Sequence, residues 1–271
     1  MKRKLVSILL ILSVGSVCMA CGLEQSTDNG PKSLLGGSND AAEEATAEEE
    51  ENNDDVKIEV VENYGYSDEY KAAFEADDRV GANYIKSGDA EISEFESWQE
   101  AYKSLIEDCE NDEMEHSYSL IYVDDDNVPE LVYTTMNNQL AIATFTNPTV
   151  NIFSSQIEDI KYIKGKNSLI AHENIVADST LNDYVVAIKD GYFIQLAYGS
   201  SRPLDVWAED SFDENGNPII SYWEVNEQEL SSQEEYDETI NKYIDTKLAV
   251  DGFENGGESA DDIITKIDSM E

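Results

Sequence analysis

Positive charge is scarce in this sequence of 271 residues. It contains 17 Lys plus Arg against 59 Asp plus Glu, which gives a formal net charge of −42. Nucleic acids and anionic lipid headgroups are bound through clustered Lys and Arg, so this balance excludes both as partners. Cations, cationic peptides and basic protein surfaces stay open as partners, although solubility alone is the simplest explanation of the acidity.

Histidine and cysteine are also scarce, with two His and three Cys in the chain. Nucleophilic catalysis by Ser or Cys requires a base such as histidine beside the nucleophile. His116 lies in the polar stretch NDEMEHSY, and His172 alternates with apolar residues in SLIAHEN, which is typical of a β-strand. Cys109 follows an acidic helix end, which raises a thiol pKa. The sequence also lacks a Gly-rich phosphate loop, an HExxH motif and paired CxxC motifs, so it predicts no catalytic residues.

The N-terminus has the pattern of an export signal. Three cationic residues at positions 2–4 precede an apolar run at positions 5–17, which is shorter than the roughly 20 residues of a membrane-spanning helix. Small residues then flank Cys21. This ending resembles the lipobox of bacterial lipoproteins, in which that cysteine is acylated and becomes the new N-terminus. The resemblance implies a signal peptide at residues 1–20 and lipidation of Cys21. Cys18 stands where that family usually has Leu, and cleavage without lipid is the alternative.

Lipidation would hold the protein at the extracellular face of the cell membrane. Two long acyl chains suffice, because each buried methylene adds about 0.8 kcal/mol of membrane affinity. Cys18 would leave with the signal peptide and Cys21 would be modified, so only Cys109 would stay as a free thiol. No internal disulfide could form, and we expect the fold to depend on its apolar core.

An acidic tether is predicted at residues 21–55. Positions 22–55 contain 11 acidic residues, one lysine and no aromatic residue. Such a segment cannot bury enough apolar surface to offset its ordering entropy, so we expect a disordered, self-repelling spacer. Residues 56–271 contain 13 Lys plus Arg and 48 Asp plus Glu, and their number fits one globular domain.

Four segments of this domain have the period of amphipathic helices. Ser followed three residues later by Glu predicts capping boxes that begin at Ser93 and Ser232. The four segments are SDEYKAAFEADD, SEFESWQEAYKSLIEDCE, SSQEEYDETINKYIDTKL and SADDIITKIDSM. Their aromatic and aliphatic stripes are interpreted as faces of the core.

Apolar runs and period-two alternation between the second and third helices predict a β-meander. The candidate strands are YSLIYV, ELVYTT, QLAIATFT, TVNIFSSQI, NSLIAHEN, DYVVAIK, YFIQLAYG, LDVWAEDSF and PIISYWE. Asp190-Gly191 and Asn215-Gly216 can supply the positive φ angles of two-residue hairpin turns. The β-rich part is too short for a propeller, which needs at least four blades of about 40 residues. The predicted fold class is therefore α+β, an open antiparallel β-meander flanked by helices.

The stretch WQEAYKSLIEDCE, followed by YSLIYVDDDNVPELVY, carries a family resemblance. It resembles an uncharacterised group of secreted and lipoprotein domains from gut clostridia and relatives. In that group a W-x-x-A-Y helix precedes a strand, a loop of the type D-x-D-G-D-G-x-P-E-L and a second strand. The loop is similar to the calcium loops of FG-GAP and VCBS repeats. The resemblance extends loosely from Phe95 to Tyr243 and implies no established activity.

Calcium is the one cofactor that this resemblance implies. Alignment on the Pro-Glu-Leu end places Asp124, Asp126 and Glu130 at three of the four acidic positions, while Tyr122 occupies the first. Calcium takes six to eight oxygen ligands, and its loops usually need glycine at the sharp turn. Asn127 replaces one glycine and tolerates positive φ. The alternative is a hairpin turn whose aspartates accept backbone amides, and we expect any calcium effect to be weak.

Two functions from different classes fit this sequence. The first is a membrane-anchored binding or interaction module for an extracellular protein or glycan. The second is a divergent cell-envelope hydrolase that acts on glycan or peptidoglycan through carboxylates. A concave pocket with two facing carboxylates and exposed aromatics would favour the hydrolase, and a flat acidic face would favour the module.

Overall fold

The computed structural model describes residues 64–112, 114–175, 179–205 and 208–270. The predicted signal peptide, the lipidation site Cys21 and the tether at 21–55 lie outside these ranges. The described residues belong to one compact unit, Lys57–Glu271. None of the helices in the described part of the chain is long and apolar enough to span a membrane.

An antiparallel sheet forms the body of the domain. Its strands are β1 (Ala82–Asn83), β2 (Tyr118–Ile121), β3 (Glu130–Thr134), β4 (Leu140–Thr146), β5 (Thr149–Ile163), β6 (Ser168–Ile175), β7 (Thr180–Lys189), β8 (Tyr192–Arg202), β9 (Tyr222–Val225), β10 (Gln228–Leu230) and β11 (Val250–Asp251). Strands β2 to β10 lie side by side in chain order, and the short β1 and β11 pair with β5. This arrangement confirms the predicted open β-meander of an α+β fold.

Four α-helices flank the sheet, and each begins after a serine whose hydroxyl accepts a backbone N–H. They are α1 (Asp68–Ala76), α2 (Trp98–Cys109), α3 (Gln233–Ile240) and α4 (Ala260–Ser269). The predicted cap at Ser232 is confirmed. The predicted cap at Ser93 is wrong, because Ser97 caps α2 instead. Phe95 N–H donates to Pro148 O over 2.8 Å, and this contact precedes the helix.

Side chains from strands on both sides of the long strand β5 share one core cluster. Ile142 from β4 and Phe193 from β8 belong to the same buried cluster. The rings of Phe153 and Phe193 are 6.1 Å apart between centroids. The register of β5 against β6 shifts between Ile157 and Asp159. The part of β5 up to Ile157 pairs with β4, and the part from Ile157 onward pairs with β6.

The helices pack against two different groups of strands. Tyr102 from α2 and Ile263 from α4 pack against β3 and β4. Tyr236 from α3 and Tyr70 from α1 pack against β7 and β8. Strands β3 and β4 are therefore buried on both faces, which explains why their sequences are apolar runs without alternation.

Two strand predictions in the connection from β8 to β9 need correction. The described part of LDVWAEDSF contains a 3-10 turn at Glu209–Ser211 and no strand, and its positions 206–207 lie outside the described residues. PIISYWE forms a strand only from Tyr222. The Asn215-Gly216 turn is closed by a single bridge between Phe212 and Pro218. Proline lacks the N–H that a continuing ladder requires, which limits pairing here.

Candidate functional site

The aspartate loop between β2 and β3 is a tight turn. Asp126 N–H donates to Asp124 Oδ1 over 3.2 Å, and Val128 N–H donates to Asp126 Oδ1 over 2.7 Å. Asn127 has a φ of 66°, as expected for the residue that replaces a glycine. Both aspartates thus use carboxylate oxygens to satisfy backbone amides, in the manner of Asx turns.

This loop packs against the turn that connects β5 to β6. Gly165 N–H donates to Tyr122 O over 2.9 Å, and Asn167 N–H donates to Val123 O over 2.6 Å. Lys164 Nζ lies 5.5 Å from the centroid of the Tyr122 ring. The two loops line an open cavity of about 560 Å³. Tyr122, which occupies the first ligand position of the calcium-loop pattern, is therefore part of the packing between the two loops.

Glu130, the third predicted ligand, is turned into the core. It is only 1 % exposed. Its carboxyl accepts Val123 N–H over 2.8 Å and the Thr144 hydroxyl over 3.3 Å. Burial raises the pKa of this carboxyl well above its ordinary value, and the charges of Asp124 and Asp126 raise it further.

Each of the three predicted calcium ligands uses a carboxylate oxygen in a hydrogen bond within the protein. Asp124 and Asp126 are neighbours in the loop, and burial together with the charge of Asp126 raises the pKa of Asp124 to about 6. Glu130 is occupied by its own hydrogen bonds. Across the described ranges, no three His, Cys, Asp or Glu side chains are arranged to share a metal ion. As they are arranged here, these residues do not fit the six to eight oxygens that calcium takes.

No protein family, curated protein or solved structure matches this chain. The clostridial family resemblance of the loop stays a prediction, and the function has to be argued from the domain itself.

The surroundings of Cys109 and His116 fit a structural role for both residues. Burial, followed by the charges of Asp112 and Asp108, raises the pKa of the Cys109 thiol to about 12. His116 is buried, with Nδ1 2.7 Å from Thr134 O and Nε2 3.0 Å from both carboxylate oxygens of Asp112. Both ring nitrogens of His116 are therefore engaged, and the raised pKa keeps the Cys109 thiol in its unreactive protonated form.

His172 is the residue whose role sequence reasoning missed. It lies on β6, as its alternating sequence predicts, directly opposite Asp183 on β7. Its Nδ1 is 2.6 Å from Asp183 Oδ1. The Tyr236 hydroxyl, which comes from α3, donates to Asp183 Oδ2 over 2.6 Å. Imidazole, carboxylate and phenol thus form one hydrogen-bonded chain across two strands and a helix.

The register of the strands and the absence of a side chain at Gly199 make room for this hydrogen-bonded chain. Asp183 pairs with His172 on one side and with Gly199 of β8 on the other. Paired residues of antiparallel strands place their side chains on the same face. Gly199 has none, and Tyr236 takes the space above it. The sequence predicted that β6 and β7 are neighbouring strands and showed a glycine at position 199. Neither observation specifies that His172 pairs with Asp183.

His172, Asp183 and Tyr236 line a cleft of about 670 Å³, here called the histidine cleft. Its wall includes polar and charged residues of α3 and the segment that follows it, among them Gln233, Glu234, Asp237, Glu238 and Lys247. Asn241 lines it too, with its Nδ2 donating to Asp237 O over 2.7 Å. The cleft is therefore acidic, with one lysine.

A second cleft of about 550 Å³, here called the tyrosine cleft, shares Glu238, Asn241 and Lys247 with the first. Tyrosines form much of its wall. The rings of Tyr64 and Tyr66 meet at 83° with centroids 5.3 Å apart, and those of Tyr66 and Tyr70 are 4.4 Å apart. The two clefts therefore continue one another across the C-terminal end of α3.

Proposed function

We propose that this protein is a lipid-anchored binding module at the extracellular face of the cell membrane, and that the tyrosine cleft holds its partner. The single observation that carries the proposal is this cleft, in which aromatic rings and polar groups line one concavity. Ligand sites commonly combine apolar and aromatic walls with a few polar groups that orient the ligand.

The tyrosine rings are held in place by hydrogen bonds of their hydroxyls. Tyr66 donates to Lys166 O over 2.9 Å, and Tyr70 donates to Asn167 O over 2.7 Å. Asn226 Nδ2 donates to the Tyr243 hydroxyl over 3.2 Å. Because these rings are already ordered, a partner that stacks on them loses less side-chain entropy on binding. An extracellular glycan or protein segment is the proposed partner.

The acidity of the domain supports a neutral or cationic partner. Glu238 and Asp245 line the tyrosine cleft together with Lys242 and Lys247, within a chain whose net charge is −42. Like-charge contacts at an interface cost affinity and suppress unsuitable partners. Nucleic acid is therefore no part of the proposal.

The lipid anchor at Cys21 is proposed from the sequence alone. A Cys21→Ser variant should lose metabolic labelling with palmitate and leave the membrane fraction, since an unmodified chain has no acyl group to bury. A Cys109→Ser variant is the matched control and should keep both label and membrane association. Labelling that persists in Cys21→Ser would refute the anchor.

Photo-crosslinking on intact cells tests the binding site. A photoreactive amino acid replaces Leu248, which is 39 % exposed and lines the tyrosine cleft, in the full lipidated chain. The control position is Met136, which is 67 % exposed and lies outside that lining. We expect a discrete adduct from position 248 and none from position 136. Recovery of membrane lipids alone from both positions would refute the binding module.

A second candidate function, glycan hydrolysis through carboxylates, is favoured by the same cleft. Glu238 and Asp245 line it beside the tyrosines, and such a pocket is what the hydrolase hypothesis expects. Release of reducing ends from purified peptidoglycan by the full chain would support this function if Glu238→Gln abolishes it. The same activity in Glu238→Gln and Asp245→Asn would exclude it.

A further inference from the structure

The histidine cleft continues the tyrosine cleft, but His172, Asp183 and Tyr236 line only the histidine cleft. His172 is 36 % exposed at its side chain, whereas Asp183 behind it is 18 % exposed. Among the described residues, none forms a hydrogen bond with His172 Nε2. We propose that this cleft hydrolyses neutral carboxylic esters, with His172 as the general base.

The hydrogen-bonded chain sets the tautomer of His172. A carboxylate only accepts hydrogen bonds, so the proton of the neutral imidazole is on Nδ1, which donates to Asp183 Oδ1 over 2.6 Å. Nε2 then presents its lone pair to the cleft. Tyr236 donates to the other oxygen of Asp183 and holds that carboxylate in place. A base that is oriented by a third group is the arrangement that general-base catalysis requires.

Lys247 supplies the second chemical group of the cleft. It lines the same cleft as His172, and its ammonium forms no ion pair with any residue of the described ranges. A cation near a reacting carbonyl stabilises the negative oxygen that develops there. Glu234, Asp237 and Glu238, which also line the cleft, repel anionic substrates, and the proposed substrate is therefore a neutral ester.

The reaction consumes one water molecule and needs no other reagent. His172 Nε2 takes a proton from water while the water oxygen forms a bond to the ester carbonyl carbon. The bond between that carbon and the alkoxy oxygen then breaks, and the proton passes from Nε2 to the leaving oxygen. One ester and one water give one carboxylic acid and one alcohol. Asp183 stabilises the imidazolium that exists between the two proton transfers.

The test measures hydrolysis of p-nitrophenyl acetate by the full chain in detergent. We expect saturable turnover above the rate given by an equal concentration of free imidazole, and a loss of about 100-fold or more in kcat for His172→Gln. Lys164→Gln, a lysine outside the histidine cleft, is the matched control and should keep the parent rate. A rate no higher than that of free imidazole, or equal rates in His172→Gln and the parent, would overturn the proposal.

The split of kcat from KM separates catalysis from a purely structural role. Asp183→Asn replaces the carboxylate that accepts the Nδ1 proton of His172, so kcat for p-nitrophenyl acetate should fall while KM changes little. An unchanged kcat in a folded Asp183→Asn variant would contradict the role of Asp183.

Discussion

Tyr236 lies in the space that Gly199 leaves by having no side chain. A Cβ atom built on Gly199 would be 2.2 Å from the Tyr236 hydroxyl oxygen and 2.8 Å from its Cζ. The same hydroxyl donates to Asp183 Oδ2 over 2.6 Å. A glycine on β8 is therefore what allows a residue of α3 to reach a carboxylate on β7.

Substitution of that glycine should destabilise the fold. Gly199→Ala forces Tyr236 away from Asp183, and overpacking of this kind typically costs about 1–3 kcal/mol in the free energy of unfolding. Urea denaturation of the full chain measures the change. Gly65→Ala is the matched control, since a Cβ there meets no atom within 4 Å. Equal urea midpoints for both variants would mean that the Tyr236 ring moves aside without loss of stability.

Glu130→Gln should stabilise the protein at pH 8. Burial raises the pKa of Glu130 above its unfolded value, so the folded state binds the proton more tightly and loses stability as pH rises from about 4.3 toward that raised value. Glutamine keeps the partners Val123 and Thr144 without a titrating charge. We expect a gain of about 1 kcal/mol or more at pH 8 and little change at pH 4.

The control for that prediction is Glu130→Ala. Alanine leaves Val123 N–H and the Thr144 hydroxyl without their present partner, so it should destabilise at both pH values, by about 1–3 kcal/mol. Urea midpoints at pH 4 and pH 8 distinguish the cases. A Glu130→Gln variant less stable than the parent at pH 8 would show that the ionised carboxylate is favourable in the fold.

Asp124→Asn should remove a second contribution to the pH dependence of the free energy of unfolding. The pKa of Asp124 is raised to about 6 by burial and by Asp126, so the folded state loses stability between about pH 4, the unfolded value, and pH 6. Asparagine keeps the oxygen that accepts Asp126 N–H. We expect about 1 kcal/mol of stabilisation above pH 7, after allowance for solvent screening, and almost none at pH 3.5. A thermal melt at each pH checks this.

Calcium should have a weak effect on this chain. The loop has Tyr122 at the first ligand position, and Glu130 is occupied in the core. Titration calorimetry of the full chain with calcium, and with magnesium as the control, should show at most weak and unselective heat changes. Submicromolar calcium-selective binding would mean that the loop rearranges to supply the oxygens that calcium needs.

The Cys109 thiol should be unreactive in the folded protein. Its pKa is raised from 9.0 to about 12, chiefly by burial. The thiolate is the reactive form, so alkylation by iodoacetamide at pH 8 should be about 1,000-fold slower than for a thiol with the unshifted pKa. Mass spectrometry follows the reaction, and labelling in urea gives the unfolded reference. Fast labelling without urea would place the thiol in contact with solvent.

Local signals in the sequence predicted much of the fold. The cap at Ser232 and the turn at Asp190-Gly191 were correct because each depends on contacts within a few residues. The cap at Ser93 was wrong because two serines precede the same helix and tertiary pairing at Phe95 selected the second. The candidate calcium ligands were close in sequence, but the sequence did not show that Glu130 is buried at the start of β3 and accepts Val123 N–H and the Thr144 hydroxyl.

The sequence by itself determined the α+β class, the helix cap at Ser232 and the two-residue turn between β7 and β8. That turn pairs Lys189 with Tyr192, and continued without change it would place Tyr198 opposite Asp183. A bulge between Val185 and Val186 shifts the register by one residue and brings Gly199 there instead. Side chains alternate between the two faces of a sheet, so a one-residue shift exchanges the faces. Only the tertiary structure decided this shift, and with it the meeting of His172, Asp183 and Tyr236.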